Sequence, residues 1–438
     1  MRLRPRGMRA GMAEAAKESR YARVRALFAK LGPGLVTGAA DDDPSGIATY
    51  SQAGAQFGFG MLWSTLLTLP LMAGIQLVAA RIGCVTGRGV AANIRQHYPP
   101  ALLYALVTAL LAANTINIGA DIGAMAEALK LVAGGPANAY AVLFGAICVL
   151  LQVFMPYPRY APLLKWSTLA LFSYIATLFV VDVPWSEVAR RIVAPGIAPS
   201  DDYLLALVAV LGTTISPYLF FWQASQEVED QQANGHPAPL IRKPRRAGRE
   251  LGRIEVDTYV GMGFSNFIAF CIMLTSAIAL HARGVTDIRS AADAASALKP
   301  VVGDFAFALF SLGIIGTGML AIPVLAGSAA YAVAEAFRWR RGLACLPLEA
   351  PGFYGIIVAA TLLGIAIDFS HVDPFKALIW AAVINGIVAV PVMAVMMRLA
   401  ARPDVMGKFA ISKRLAFTGW ASTCVMAVAV GALLFSLV

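Results

Sequence analysis

The sequence predicts an all-α integral membrane protein: eleven transmembrane helices, built as two five-helix halves with the first and sixth helices broken. Three observations predict it. Composition is too apolar for a soluble chain, positive charge falls on one side of the apolar blocks, and two apolar blocks half a chain apart are interrupted. Of 438 residues, 59% are hydrophobic and 14% charged, with a mean hydropathy of +0.70. Soluble domains carry about 25% charged residues, so that class is excluded. The five cysteines (Cys84, Cys148, Cys271, Cys345, Cys424) contain no CxxC pair, which gives neither a zinc signature nor a disulfide framework.

A spanning helix needs about 20 mainly apolar residues. Eleven blocks qualify: 33–56, 60–80, 101–129, 136–155, 166–183, 203–226, 257–281, 303–335, 353–370, 375–397 and 415–437. The blocks at 101–129 and 303–335 exceed the bilayer and are expected to tilt or enter the aqueous layer. The organisation expected is an N-terminal cytoplasmic extension (1–32), a first repeat (33–183), and a second repeat (184–397) with a cytoplasmic loop at 227–256. A closing loop and the eleventh helix occupy 398–438.

Between these blocks, 28 of the 35 Lys and Arg residues fall on one face. Positive charge collects on the cytoplasmic side, so the N-terminus is expected inside and the C-terminus outside. The net charge of +10 then records orientation, and no nucleic-acid partner is implied. The basic run from Ile241 to Glu250 reads as a cytoplasmic loop. The first 30 residues lack the apolar core of a cleavable signal peptide and read as a solvated extension or an amphipathic helix on the lipid surface.

Within the first block stand Asp41, Asp42, Asp43, Pro44 and Gly46. A carboxylate near the bilayer centre costs about 3 kcal/mol, and adjacent ones repel. Pro44 removes a backbone donor and Gly46 loosens the chain, so the helix should break here. The sixth block carries Gly212, Ser216 and Pro217, 173 residues beyond the first proline. After an odd number of crossings the sixth helix runs opposite to the first, as in inverted-repeat transporters whose broken helices build a midplane substrate site. An Asp-Pro helix cap alone would account for one of the three acids.

At these residues the chain resembles the Nramp family, divalent-metal transporters with the LeuT fold. The resemblance extends from Gly32-Pro33-Gly34 through the tenth span, and is clearest over Gly38–Trp63 and Ala79–Gly87. It implies metal ligands at the two breaks. The family's Asp-Pro-Gly-Asn reads Asp43-Pro44-Ser45-Gly46 here, and its Met-Pro-His reads Ser216-Pro217-Tyr218. The asparagine ligand is thus replaced by Gly46 and the methionine by Ser216. Loss of the soft thioether leaves oxygen donors, which suit a hard, partly hydrated ion. The pattern is closest to the Nramp-related magnesium transporter branch, with Mg²⁺ the favoured substrate and Mn²⁺ also accepted.

The expected metal site comprises Asp43 as principal ligand with Asp42, Gly46, Thr213 (through its carbonyl), Ser216 and Asn385. Pro44 and Pro217 make the breaks. Asp121, Glu127, Tyr218, Gln223 and Glu227 are candidates for an ion or proton path. Asn114, Asn117 and Asp121 form a polar stripe on the third helix, fit either to line a path or to bond neighbouring helices. Glu227 either lines the inner exit or pairs with the basic loop.

The family's sixth-helix histidines correspond to Tyr218 and Gln223, and its third-helix glutamate to Ala124. Without an intramembrane histidine, uncoupled transport is expected. The alternatives are a proton-coupled Mn²⁺/Fe²⁺ symporter of the Nramp type and, behind it, a sodium-coupled organic-solute carrier on the same fold. No enzyme is expected, since neither HExxH nor intramembrane histidines at ligand spacing occur. No cofactor is expected beyond the transported ion, and the other partner is the lipid bilayer of the plasma (inner) membrane.

Overall fold

The computed structural model describes residues 32–155, 168–195, 200–236, 238–299, 303–369 and 373–437. The expected N-terminal extension up to residue 31 and the loop bearing Arg159 and Lys165 lie outside the described residues, as does part of the expected fifth span.

The helices are α1 (Pro33–Asp41), α2 (Pro44–Phe57), α3 (Leu62–Thr86), α4 (Val90–His97), α5 (Pro100–Ala133), α6 (Ala137–Phe154), α7 (Phe172–Val180) and α8 (Trp185–Val193). They continue with α9 (Asp201–Thr214), α10 (Pro217–Ala233), α11 (Ala247–Ala279), α12 (Ala306–Phe337), α13 (Pro351–Asp368), α14 (Pro374–Ala401) and α15 (Lys413–Ser436). Among the described residues, nine helical runs are long and apolar enough to cross a membrane. One of them, Pro44–Thr86, has 43 residues and turns at Gly58, where φ is +57°. At 1.5 Å per residue a straight helix of that length would be about twice the bilayer core, and it holds the second half of the first expected block with the whole of the second.

Helices α10 and α11 extend beyond their expected blocks, shrinking the loop at 227–256 to residues 234–246. The extension brings Arg253, on the first turns of α11, against Glu227 of α10 at 2.6 Å. Of the two readings of Glu227, the structure shows the ion pair.

Helix α2 is enclosed by α5, α9, α11, α12 and α14, whereas α6, α13 and α15 stand at the periphery. The inner helices approach closely because glycines face backbone. A Cβ on Gly38 would lie 2.2 Å from the Gly261 carbonyl oxygen of α11, and one on Gly212 would lie 2.0 Å from Ala382 O of α14. Small residues permit such backbone contact, which replaces the hydrophobic drive absent between helices in lipid. The start of α1 is fixed by Asp257 of α11, whose carboxylate accepts the backbone N–H groups of Gly32, Gly34 and Leu35 at 2.7–3.1 Å.

Candidate metal site

Both interruptions follow from proline. Pro44 and Pro217 occupy the first turns of α2 and α10, where the missing N–H costs nothing. Each forces its predecessor out of the helical region: Asp43 has ψ 171° and Ser216 ψ 133°. The chain therefore presents two helix C-termini, at Asp41 and Thr214, and two helix N-termini within the bundle. Carbonyl-rich C-terminal ends attract cations.

The two breaks touch. Tyr218 of α10 donates its hydroxyl to the Ala40 carbonyl at 3.0 Å and lies 3.5 Å from Asp43 Oδ2. Ser45 Oγ is 3.5 Å from Thr213 Oγ1, and the Tyr50 and Thr214 hydroxyls are 3.0 Å apart.

Asp43 caps α2. Its Oδ1 accepts the Gly46 N–H at 2.7 Å and the Ser45 hydroxyl at 2.8 Å. Its Oδ2 accepts Asn117 Nδ2 of α5 at 3.2 Å, and that nitrogen also lies 3.3 Å from Asp121 Oδ2. Asn385 Nδ2 of α14 reaches Asn117 Oδ1 at 3.5 Å. One chain of contacts thus joins Asp43, Asn117, Asp121 and Asn385.

The remaining expected ligands are placed differently. Asp42 Oδ1 shares the Ser265 hydroxyl of α11 with Asp41 Oδ2, so the three adjacent aspartates do not converge on one point. Ser216 turns its hydroxyl back to the Gly212 and Thr213 carbonyls at 2.7 and 2.8 Å, capping its own half-helix. At Gly46, a Cβ would stand 3.3 Å from Asp41 O, Thr213 Oγ1 and a Tyr50 ring carbon, so the position is lined by oxygens. Gln223 lies away from this set, bonded to Gln76 and Thr258. Glu127 is partly exposed and paired with Lys130. It lines a cavity of about 440 Å³ with Asp368 and Asp373. Asn114 bonds Leu325 O and Ser328 of α12, so this part of the polar stripe ties helices together.

Sequence reasoning left Asn117 out of the ligand set, although the i, i+3, i+7 stripe of α5 signalled it. Ser265 and Tyr50 carried no signal, because single hydroxyls are common in apolar helices.

Electrostatically the centre is unbalanced. Asp41, Asp42, Asp43 and Asp121 are each at most 1% exposed, and no Lys or Arg ion pair reaches them among the described residues. Asp41 Oδ1, Asp42 Oδ2, Asp121 Oδ1 and Asn385 Oδ1 have no hydrogen-bond donor among the described residues. Buried acceptors without donors are costly, and a bound cation, like a proton or a water, would satisfy them. Among the described residues no three His, Cys, Asp or Glu side chains converge as a metal cage. Any ion held here must also use carbonyl, hydroxyl, amide or water oxygens.

The family described as natural resistance-associated macrophage protein-like (Nramp) matches residues 34–436. The chain belongs to the Nramp family. The divalent metal cation transporter MntH of Burkholderia ambifaria is 28% identical over 433 residues, covering 95% of this chain and 90% of its own. MntH of Klebsiella pneumoniae strain 342 is 27% identical over 414 residues, covering 92% of each. Among solved structures, a mutant of the Eremococcus coleocola manganese transporter superposes with a TM-score of 0.74 at 16% identity. It covers 92% of this chain and 86% of its own. MhsT in complex with L-phenylalanine superposes with a TM-score of 0.57 at 12% identity, covering 92% and 98%.

The chain is therefore an all-helical, multi-pass membrane protein that structurally matches Nramp and other LeuT-fold transporters. Nramp proteins are transporters, and this chain is no enzyme.

Proposed function

We propose that this Nramp protein carries divalent metal cations across the membrane by alternating access, with Asp43 as the principal ligand. The observation that carries the reading is the set of four buried carboxylates, beside the meeting of two broken helices, that have no cationic side-chain partner among the described residues. Asp42, Gly46, Thr213, Ser216 and Asn385 complete the candidate site. Thr213 contributes its carbonyl, and Gly46 lets the Asp41 carbonyl and the Thr213 hydroxyl close in where a side chain would stand.

The donors are all oxygen, a set that accepts Mn²⁺ and Mg²⁺ alike and disfavours thiophilic ions. The absence of sulfur at Ser216 supports Mg²⁺ as a substrate. The relatives are a divalent metal cation transporter and a manganese transporter, which supports Mn²⁺. A second reading, proton-coupled symport of a transition metal, is favoured by Asp121. It places a second buried carboxylate one amide away from Asp43, a pair able to exchange metal for protons.

The finer architecture belongs to the same proposal: eleven crossings, a 5+5 inverted repeat with Pro44 and Pro217 at corresponding breaks, and an inner-membrane location. In that topology the N-terminus is cytoplasmic and the C-terminus outside, on the charge split of the sequence.

Proteoliposome flux with a lumenal pH dye tests ion and coupling together. Mn²⁺ or Mg²⁺ uptake at constant lumenal pH is the outcome for uncoupled transport, and uptake with proportionate acidification is the outcome for symport. Absence of uptake of either metal overturns the assignment.

A further inference from the structure

The basic run that opens at Ile241 is docked onto the bundle. The Leu240 and Ile241 N–H groups donate to the Cys84 and Val85 carbonyls at the end of α3, at 3.4 and 3.2 Å, and Leu240 is 1% exposed. The loop between α10 and α11 is thereby held against the turn from α3 to α4. That turn is fixed as well. Gly87 takes a φ of +67°, and the buried Asn93 of α4 reaches Thr86 Oγ1, Arg88 O and Gly89 O with its amide nitrogen at 2.9–3.0 Å.

Between the two segments lies a cavity of about 330 Å³, within the range of small-ligand sites, whose lining includes Thr86, Arg88, Gln96, His97, Arg242 and Asp404. Its charge is one-sided. Arg88 bonds the neutral Gln96, and Arg242 has no side-chain hydrogen bond or ion pair among the described residues. Asp404 is the single acid among the described lining residues, and Arg402 already holds both of its oxygens, Nε to Oδ1 at 3.0 Å and Nη2 to Oδ2 at 2.5 Å. Two guanidinium groups on one cavity repel, and the docked backbones keep both anchored there. An anion between them turns that repulsion into attraction.

We propose that this cavity binds a phosphate group, with Arg88 and Arg242 as its principal donors. A guanidinium offers two parallel N–H donors that match two phosphate oxygens. The cavity stands where α3 ends at Thr86 and just past the end of α14 at Ala401. Spanning helices end near the plane of the lipid phosphates, and basic pockets at that level take anionic headgroups. Ile241, 40% exposed, adds an apolar wall. The phosphate is carried by an anionic phospholipid or by a free phosphate solute, which present the same chemistry to the two arginines. Once bound, it ties the α3–α4 turn to the loop that follows the second broken helix.

The test uses full-length protein, delipidated in a neutral detergent and free of divalent metal. It is titrated with phosphatidylglycerol, with diacylglycerol as the phosphate-free control, and with inorganic pyrophosphate, and bound molecules are counted by native mass spectrometry. Phosphatidylglycerol should bind saturably to the wild type and about tenfold more weakly to Arg88→Gln/Arg242→Gln. Arg245→Gln/Arg249→Gln removes two exposed charges of the same basic run that do not line the cavity, and should bind as the wild type does. Displacement of the lipid by pyrophosphate supports the site with either source of phosphate, and lipid binding that pyrophosphate leaves untouched supports it with the lipid as source. Equal losses in the two double variants, diacylglycerol bound as tightly as phosphatidylglycerol, or binding of neither phosphate probe overturns the proposal. Should Arg88→Gln/Arg242→Gln fail to fold, Arg242→Gln alone decides, since that guanidinium bonds nothing among the described residues: weakened lipid binding supports the site, and unchanged affinity refutes it.

Discussion

Asn117 donates its side-chain amide to Asp43 at 3.2 Å while the same nitrogen stands 3.3 Å from Asp121. A single neutral donor thereby separates two buried carboxylates that would otherwise face each other. A hydrogen bond to a charged group contributes about 1.5–3 kcal/mol. Asn117→Leu keeps the volume and removes the donor, so the metal-free variant should melt below the wild type. Bound Mn²⁺ replaces the missing donor, and the Mn²⁺-induced rise in melting temperature should be larger in the variant. Equal rises in both proteins would contradict the bridging role.

Tyr218 is one of the links between the two helix breaks, through Ala40 O at 3.0 Å. Tyr218→Phe removes one hydrogen bond worth about 1 kcal/mol. Metal flux at subsaturating concentration should fall about fivefold with the fold intact, since the ring still fills its buried space. Flux equal to wild type would show that the link has no part in the transport cycle.

The close crossing of α1 and α11 gives a steric prediction with an internal control. Gly38→Ala drives a methyl group to 2.2 Å from backbone oxygen at Gly261, and neither helix can yield without moving apart. That variant should lose thermal stability and folded yield in detergent. Gly263→Ala, with nothing within 4 Å of the new carbon, should behave as wild type.

Arg253 and Glu227 form a pair 2.6 Å apart in which the Glu227 side chain is fully buried. Removing one partner of such a pair leaves an uncompensated charge and costs about 3–5 kcal/mol. Arg253→Ala should therefore lower the melting temperature sharply. Adding Glu227→Gln should recover part of the loss, because position 227 then carries no buried charge. Strictly additive losses in the double variant would show that the two residues do not act as a pair.

What the sequence conveyed depended on contrast. Three aspartates and a proline against an apolar background mark residues 41–44, because both polarity and a missing N–H are rare inside a span. The structure has α1 ending at Asp41 and α2 beginning at Pro44. Partners across helices were not written so plainly. Asp257, which holds three N–H groups at the start of α1, sits at the edge of an apolar block and reads as an ordinary boundary acid. Ser265 gathers Asp41 and Asp42 from more than 220 positions away, and nothing local to a serine in a helix announces that. The direction of the Ser216 hydroxyl, toward its own helix end, depends on ψ at the break and not on residue type. Glu227 remained open between two roles until the length of α11 was known, since only that length brings Arg253 to it.

The central claim is that Asp43 holds a transported divalent metal. The most direct measurement is Mn²⁺ uptake into proteoliposomes carrying wild type or Asp43→Ala at matched protein content. With a charged ligand worth about 3 kcal/mol removed, uptake at subsaturating Mn²⁺ should fall by about a hundredfold, while the variant stays folded by size-exclusion chromatography. Undiminished Mn²⁺ uptake by Asp43→Ala would contradict the account.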